Sequence, residues 1–520
     1  MRRLRCAALA GLLLAALPAA AVGAATDAGA PPRTPPAADS SSGVWYEIFV
    51  RAWYDSDGDG IGDLNGVTRK LDYLRSLGVS GIWLMPINPS PSYHGYDVTD
   101  YEAINPQYGT LADLERLLDE AHKRGIRVIL DLVANHTSDR HPWFLAARDP
   151  NDPHHAWYEW AGPGADLQSP SAAGDQAWHA LGNQHYLGIF SGGMPDLDFD
   201  TPAVRDAMTE VGRYWLARGV DGFRLDAARH VYEDFPDQVD DPAVLRRDLD
   251  WWRQFHIALA ARYPDVYLVG EVTRDRPEQL APWYGSLDAV FDFPLARQLI
   301  ASARDERAGG LPALLARIAQ AIPAGRDAPF LSNHDQERVM SQLAGDARHM
   351  RIAAAMLLTL PGEPFLYYGE ELGMRGRKPD PDLREPMRWY RDPHGPGQSR
   401  WKAFSTKDGP RVSVEAERDD PRSLLAWYRM LIGWRRALPV LRDGALQVPA
   451  LANPRLAAWQ LRDAHHDALV VHNLSGTLQT LELGRSRLGR FQRVRLKSLP
   501  GARLADGRLQ LPAYASVVLE

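Results

Sequence analysis

Ile126-Arg127-Val128-Ile129-Leu130-Asp131-Leu132-Val133-Ala134 is apolar at all but two positions. A run of that length without polar alternation marks a parallel strand covered on both faces. A helical pattern precedes it. Leu111, Leu114, Leu117, Leu118 and Ala121 recur at helical spacing, Thr110 stands at the start and Gly125 at the stop. The same strand–helix alternation extends in both directions. Strands are read at 44–50 and 79–86 before it, and at 220–225, 266–270, 289–293, 329–332 and 364–368 after it. A helix at 64–77 ends at Gly78, and Thr201-Pro202 opens another. Eight such units fit a closed (β/α)8 barrel, with an open doubly wound sheet as the alternative.

The alternation pauses over residues 136–200, which are rich in Gly, Pro, His and Trp and show no clear period. That is too long for an ordinary loop and reads as an inserted subdomain between two barrel portions, 43–135 and 201–437. From 438 to 520 the pattern becomes short alternating strands, which predicts an antiparallel β-sandwich domain. At the other end, Met1-Arg2-Arg3-Leu4-Arg5 leads into an Ala/Leu run and Val22-Gly23-Ala24. This predicts a signal peptide over 1–24 and export to the periplasm or the medium. Residues 25–42 read as a disordered linker. Removing the leader takes three arginines and no acid, moving the formal net charge from -7 to -10, and takes the single cysteine, Cys6. An acidic chain gives no electrostatic footprint for nucleic acid, and no later apolar run is long enough to span a bilayer. The 16 tryptophans leave core packing and sugar stacking both open.

In a barrel, chemistry gathers at the C-terminal ends of the strands. Gly222-Phe223-Arg224-Leu225-Asp226 puts an arginine and an aspartate two apart, on one face of a strand. A positive charge beside a carboxylate favours its ionised form, and an ionised, oriented carboxylate is what a glycosidase uses as nucleophile. Other strands end in Asp131, Asn135 and His136, in Glu271, and in His334 and Asp335. Asp226, Glu271 and Asp335 thus reach one rim from three strands, and buried charges are costly unless paired or used.

Taken together these stretches resemble the α-amylase superfamily of retaining glycoside hydrolases, glycoside hydrolase family thirteen. The landmarks are Asp131 through His136, Gly222 through His230, Glu271, Phe330 through Asp335, His94-Gly95-Tyr96-Asp97, and Met194-Pro195-Asp196-Leu197-Asp198. The resemblance implies Asp226 as nucleophile, Glu271 as general acid/base with a raised pKa, and Asp335 as a carboxylate holding sugar hydroxyls. It implies Arg224 orienting Asp226, sugar contacts from His94, His136 and His334, a stacking Tyr96, and His230 with Arg229 on the acceptor side. A retaining enzyme places its two carboxyl groups about 5–5.5 Å apart.

Asp55-Ser56-Asp57-Gly58-Asp59-Gly60-Ile61-Gly62-Asp63 sets carboxylates at alternate positions among glycines, a pattern that wraps a hard cation. Asp55, Asp57, Asp59 and Asp63, with the Ile61 carbonyl, are read as Ca2+ ligands. The resemblance implies a second calcium using Asn135 and the His230 backbone, with an aspartate of the insertion that the sequence does not place. The form of Asp226 through His230 and Glu271-Val272 leans toward α-amylase acting on α-1,4 bonds of starch or maltooligosaccharides. Met194 through Leu197 and the aspartate loop lean toward the oligo-1,6-glucosidase and neopullulanase types, which keeps an exo-acting glucosidase or a transferase as the alternative. A non-catalytic glucan-binding relative would have lost a rim carboxylate, and all three are present.

Overall fold

The computed structural model describes residues 43–406, 408–484 and 487–520. The predicted leader and linker, residues 1–42, lie outside the described residues. Eight parallel strands run in chain order: β1 (Trp45–Ile48), β2 (Gly81–Leu84), β3 (Arg127–Leu132), β4 (Gly222–Leu225), β5 (Tyr267–Gly270), β6 (Ala289–Phe291), β7 (Asp327–Ala328) and β8 (Phe365–Tyr367). Each pairs with its sequence neighbour, and β8 pairs with β1. A bridge between Phe330 and Phe365 closes the last gap, so the sheet is a barrel rather than an open sheet. The regular part of β7 ends before the predicted 329–332 because Pro329 has no N–H to give the ladder; its carbonyl instead accepts from the Phe365 N–H at 2.9 Å.

Strand period sorts the side chains into two cores. Outward residues such as Tyr46, Ile48, Ile82, Leu84, Val128 and Leu130 pack under the helices. Inward residues form a separate plug of Trp45, Trp83, Ile129, Tyr267, Val269, Phe291, Phe330 and Phe365. Trp45 fills the base, stacked on Tyr267 (4.9 Å, 12°) and on Phe365 (5.7 Å, 7°). Its β2 neighbour in the register is Gly81, and any Cβ there would lie 2.3 Å from the indole.

The helix Leu111–Lys123 forms where the spacing placed it. Thr110 accepts from the Asp113 N–H while the Asp113 carboxylate accepts from the Thr110 N–H, a reciprocal cap. The helix read as continuous over 64–77 is two helices, Leu64–Arg69 and Leu71–Leu77. At the break, the Lys70 ammonium lies 4.1 Å over Tyr54 and 4.2 Å over Trp389.

Between β3 and β4, residues 136–200 carry the helix Pro142–Ala147 and a hairpin of Trp178–Leu181 with Gln184–Leu187, over a small core of Ala177, Trp178, Leu187 and Ile189. After the helix Leu424–Ala437 the chain forms a five-stranded and a three-stranded antiparallel sheet. They enclose their own core, including Leu469, Val471, Leu509 and Val517. Trp459 pins this unit to the barrel through a 2.9 Å hydrogen bond to the Thr359 carbonyl. Six tryptophans, Trp45, Trp53, Trp83, Trp252, Trp283 and Trp459, are among the largest fully buried side chains, so core packing accounts for much of the tryptophan content.

Two glycine substitutions should therefore act in opposite directions. Gly81→Ala overpacks the barrel base and should cost about 1–3 kcal/mol. Gly433→Ala, on the helix Leu424–Ala437 with nothing within 4 Å of an added Cβ, should stabilise by about 0.5–1 kcal/mol. Urea midpoints of the two variants, compared with wild type, check both signs.

Candidate active site

The inward face of the strands turns polar at its C-terminal end. Asp131 on β3 registers with Arg224 on β4, and Asp226 and Glu271 follow directly after β4 and β5. Arg224 is 1% exposed. Its Nη1 donates to Asp131 Oδ1 at 2.8 Å and to Asp226 Oδ1 at 2.5 Å, and its Nη2 donates to Glu271 Oε2 at 2.6 Å. One guanidinium thus bridges the two carboxyls read as nucleophile and acid. Ala227, at a left-handed φ of 44°, turns the chain sharply after Asp226, and its N–H donates to Glu271 Oε2 at 3.1 Å.

One cation cannot neutralise three carboxylates. Burial pushes the Asp226 carboxyl up, Arg224 pulls it back, Glu271 and Asp131 push it up again, and it settles at about 8. Arg224 thus favours the ionised form of Asp226, as the sequence suggests, but its guanidinium is shared three ways and burial outweighs it.

Asp335 comes from the segment after β7 and faces the open cleft, with 44% of its side chain exposed. Burial opposes its charge, but His334 and Arg384 hold its carboxyl well below the usual carboxylate range. Arg384 Nη2 donates to Oδ1 at 2.8 Å, and His334 Nε2 lies 3.0 Å from Oδ2. His334 Nδ1 meets Glu47 Oε1 at 2.5 Å. Burial works against the imidazolium, yet Asp335 and Glu47 raise its pKa to about 9. Tyr96 Oη lies 2.7 Å from His334 Nε2 and donates to Asp131 Oδ2 at 3.0 Å. A chain of polar contacts therefore runs from Glu47 through His334, Tyr96 and Asp131 to Arg224.

These groups surround a cleft of about 330 Å³, within the range of small-ligand sites. Asp226, Glu271, Asp335, His94, Tyr96, His136 and His230 all line it. Arg224 and His334 stand behind it. His334 is fully buried with both ring nitrogens engaged by protein, so it backs Asp335 and Tyr96 where the sequence suggested a direct sugar contact. His136 Nε2 donates to the Tyr96 carbonyl at 3.1 Å, and burial lowers its pKa to about 4, leaving a neutral ring. No tryptophan is among the lining residues.

Other lining residues escaped the sequence reading. Phe190 and Met194 come from the insertion, Thr273 from the loop after β5, and Asp380 and Arg384 from the loop after β8. Arg384 is 49 residues from the carboxylate it holds, with no local signal. Glu47 had one: a lone charge inside the apolar strand Trp45-Tyr46-Glu47-Ile48.

In the aspartate loop, Asp55, Asp57 and Asp63 bring ligand oxygens within 4.8 Å of one another. Asp55 and Asp63 are buried, 4% and 6% exposed. Backbone N–H groups of Gly58 and Gly60 fix Asp55, and those of Ser56 and Gly66 fix Asp63. Such a set fits a hard cation. Asp59 is not in the group; it is exposed, and its Oδ1 accepts from the Ile61 N–H at 2.7 Å. Asn135 donates to Asp196 Oδ1 at 3.0 Å, so Asp196 is the insertion aspartate that comes beside it.

Residues 47–444 match the family described as alpha amylase, catalytic domain, and residues 456–518 match the alpha-amylase SusG C-terminal domain. Alpha-amylase 3 of Dictyoglomus thermophilum is 37% identical over 483 residues, covering 92% of this chain and 93% of that protein. The trehalose synthase of Thermus thermophilus is 34% identical over 510 residues, covering 85% of this chain and 51% of that one. Among solved structures, the alpha-amylase from H. orenii superposes with a TM-score of 0.83 at 42% identity, over 92% of this chain and 99% of that one. With the family match spanning most of its length and a barrel rim of the corresponding architecture, the chain is an enzyme of the α-amylase family of glycoside hydrolases, family thirteen.

Proposed function

We propose that this enzyme hydrolyses α-1,4-glucosidic bonds of starch, maltodextrins or related α-glucans with retention of configuration. The observation that carries the reading is the rim itself: Asp226 and Glu271 on the two arms of one buried guanidinium, with Asp335 across the cleft. In the first step, Glu271 gives its proton to the glycosidic oxygen as an Asp226 oxygen attacks the anomeric carbon and the leaving sugar departs. In the second, the Glu271 carboxylate takes a proton from water, the water oxygen attacks the anomeric carbon, and the Asp226 ester bond breaks. One ionised and one protonated carboxyl are needed at the start. Asp335, ionised and open to the cleft, accepts hydrogen bonds from sugar hydroxyls.

Two observations favour a second reading, an exo-acting α-glucosidase or a glucan transferase on short maltooligosaccharides. Arg384 and Asp380 wall the cleft beside Asp335, and the similarity extends to a trehalose synthase. Maltoheptaose blocked at its non-reducing end separates the readings. Internal cleavage into mid-length products is expected for the amylase; an intact blocked chain beside a trimmed or lengthened free one would establish the alternative. With either reading, Asp226→Asn should lower kcat by on the order of 10³-fold or more. Release of the α-anomer, followed by NMR, tests retention.

The proposal includes Ca2+ held by Asp55, Asp57 and Asp63, where it would neutralise three adjacent carboxylates, and export directed by residues 1–24. Chelator should lower the melting temperature by a few degrees, the size expected when a ligand well above its Kd is withdrawn. An unchanged melting temperature would remove the stabilising role of the metal.

The pH profile follows from the two raised groups. Burial raises the Asp226 carboxyl to about 8, with Arg224 pulling it back, and the oxygen that attacks must be ionised. His334 loses its charge near 9; its folded pKa lies above the unfolded value, so its stabilisation is full below about 6.5 and fades as pH rises through about 9. kcat/KM should therefore rise with pH as Asp226 ionises toward about 8, and the melting temperature should decline as pH rises from about 6.5 through about 9.

A further inference from the structure

One carboxylate fastens the loop after β4 to the loop after β5. Glu233 is 2% exposed. Its Oε1 accepts from Arg229 Nη1, and its two oxygens accept from Arg274, Nη1 at 3.3 Å and Nη2 on Oε2. Its backbone carbonyl accepts from His230 Nδ1 at 2.8 Å. Arg229 and His230 line the cleft beside Glu271 and Thr273, and Arg274 follows Thr273 directly. The same two loops are joined a second time where the Ala228 N–H donates to the Glu271 carbonyl at 3.1 Å.

This arrangement fixes hydrogen-bonding roles as well as positions. A carbonyl can only accept, so His230 Nδ1 carries the hydrogen. In that tautomer of the neutral ring, Nε2 is left as an acceptor. Arg229, 14% exposed at the cleft with Nη1 committed to Glu233, presents its remaining donors. A sugar hydroxyl both donates and accepts, so a fixed donor beside a fixed acceptor suits neighbouring hydroxyls of one ring. On the other side of the cleft, Asp335 and Arg384 are held by His334 and by each other, with no contact to Glu233.

We propose that Glu233 is the positioning residue of the leaving-group side of the site: it sets Arg229 as donor and His230 Nε2 as acceptor for the sugar bound beside Glu271. It thereby governs how firmly a sugar, in competition with water, is held there as leaving group or as acceptor. The inference rests on the reading of Glu271 as the acid.

The test compares two substrates that fill the same glycone side. Maltoheptaose places a sugar on the Arg229–His230 wall; a nitrophenyl maltoside places there a flat activated ring without sugar hydroxyls. Glu233→Gln keeps the shape and removes the charge. Its kcat/KM on maltoheptaose should fall about tenfold more than on the aryl substrate, the size of one charge-assisted hydrogen bond. The loss should appear mainly in KM, and transfer products at high substrate should fall with it. Equal losses on both substrates, or no loss on maltoheptaose, would overturn the proposal. Arg274→Gln frees the same carboxylate from the β5 loop and must show the same one-sided loss if Glu233→Gln does not fold. Wild-type enzyme that fails to cleave maltoheptaose would instead overturn the hydrolase reading, and this inference with it.

Discussion

A single buried guanidinium organises the rim of this barrel. Arg224 holds Asp131, Asp226 and Glu271 at once. Removing a carboxylate from water costs several kcal/mol unless charge and hydrogen bonds replace the hydration, so none of the three would stay at its position alone. Because the guanidinium is planar and forked, it also sets where their oxygens point relative to one another. Positive charge is short here: with three acids on one base, burial raises the Asp226 carboxyl and Arg224 offsets that only in part.

The rest of the barrel serves that arrangement. Below it, the aromatic plug around Trp45 and Trp83 excludes water, and the Trp83 ring lies 5.0 Å from the Arg224 guanidinium. Beside it, the Glu47–His334–Tyr96 contacts tie Asp335 to the same cluster from the β1 side. The insertion contributes Phe190 and Met194 to one wall, and the loop after β8 contributes Arg384 to another. The two walls are built differently, one on Glu233 and one on Asp335.

Much of this was legible before any coordinates. The double-sided apolar strand at β3, the Thr110 cap and the strand-end carboxylates reflect short-range rules: a buried parallel strand has no polar face, a helix start needs a side-chain acceptor, and residues two apart share a face. Two of the rim carboxylates, Asp226 and Glu271, could be found because each directly follows its strand in the chain, and Asp335 because it follows the seventh within a short segment. The aspartate loop was legible for the same reason, although Asp59 stays exposed and outside the group that Asp55, Asp57 and Asp63 form.

The sequence by itself determined the barrel order, the family resemblance and the identity of the carboxyl groups, since all three are written in contiguous residues. Only the tertiary structure decided how those groups share charge, which histidines face the cleft, and what walls it. His334 lies behind the surface because Glu47, 287 residues away, takes its other nitrogen. Arg384 reaches Asp335 across 49 residues, and Glu233 clasps Arg274 across 41. Desolvation and Coulomb interaction depend on distance through space and on burial, and neither quantity is defined until barrel closure has brought these distant segments together.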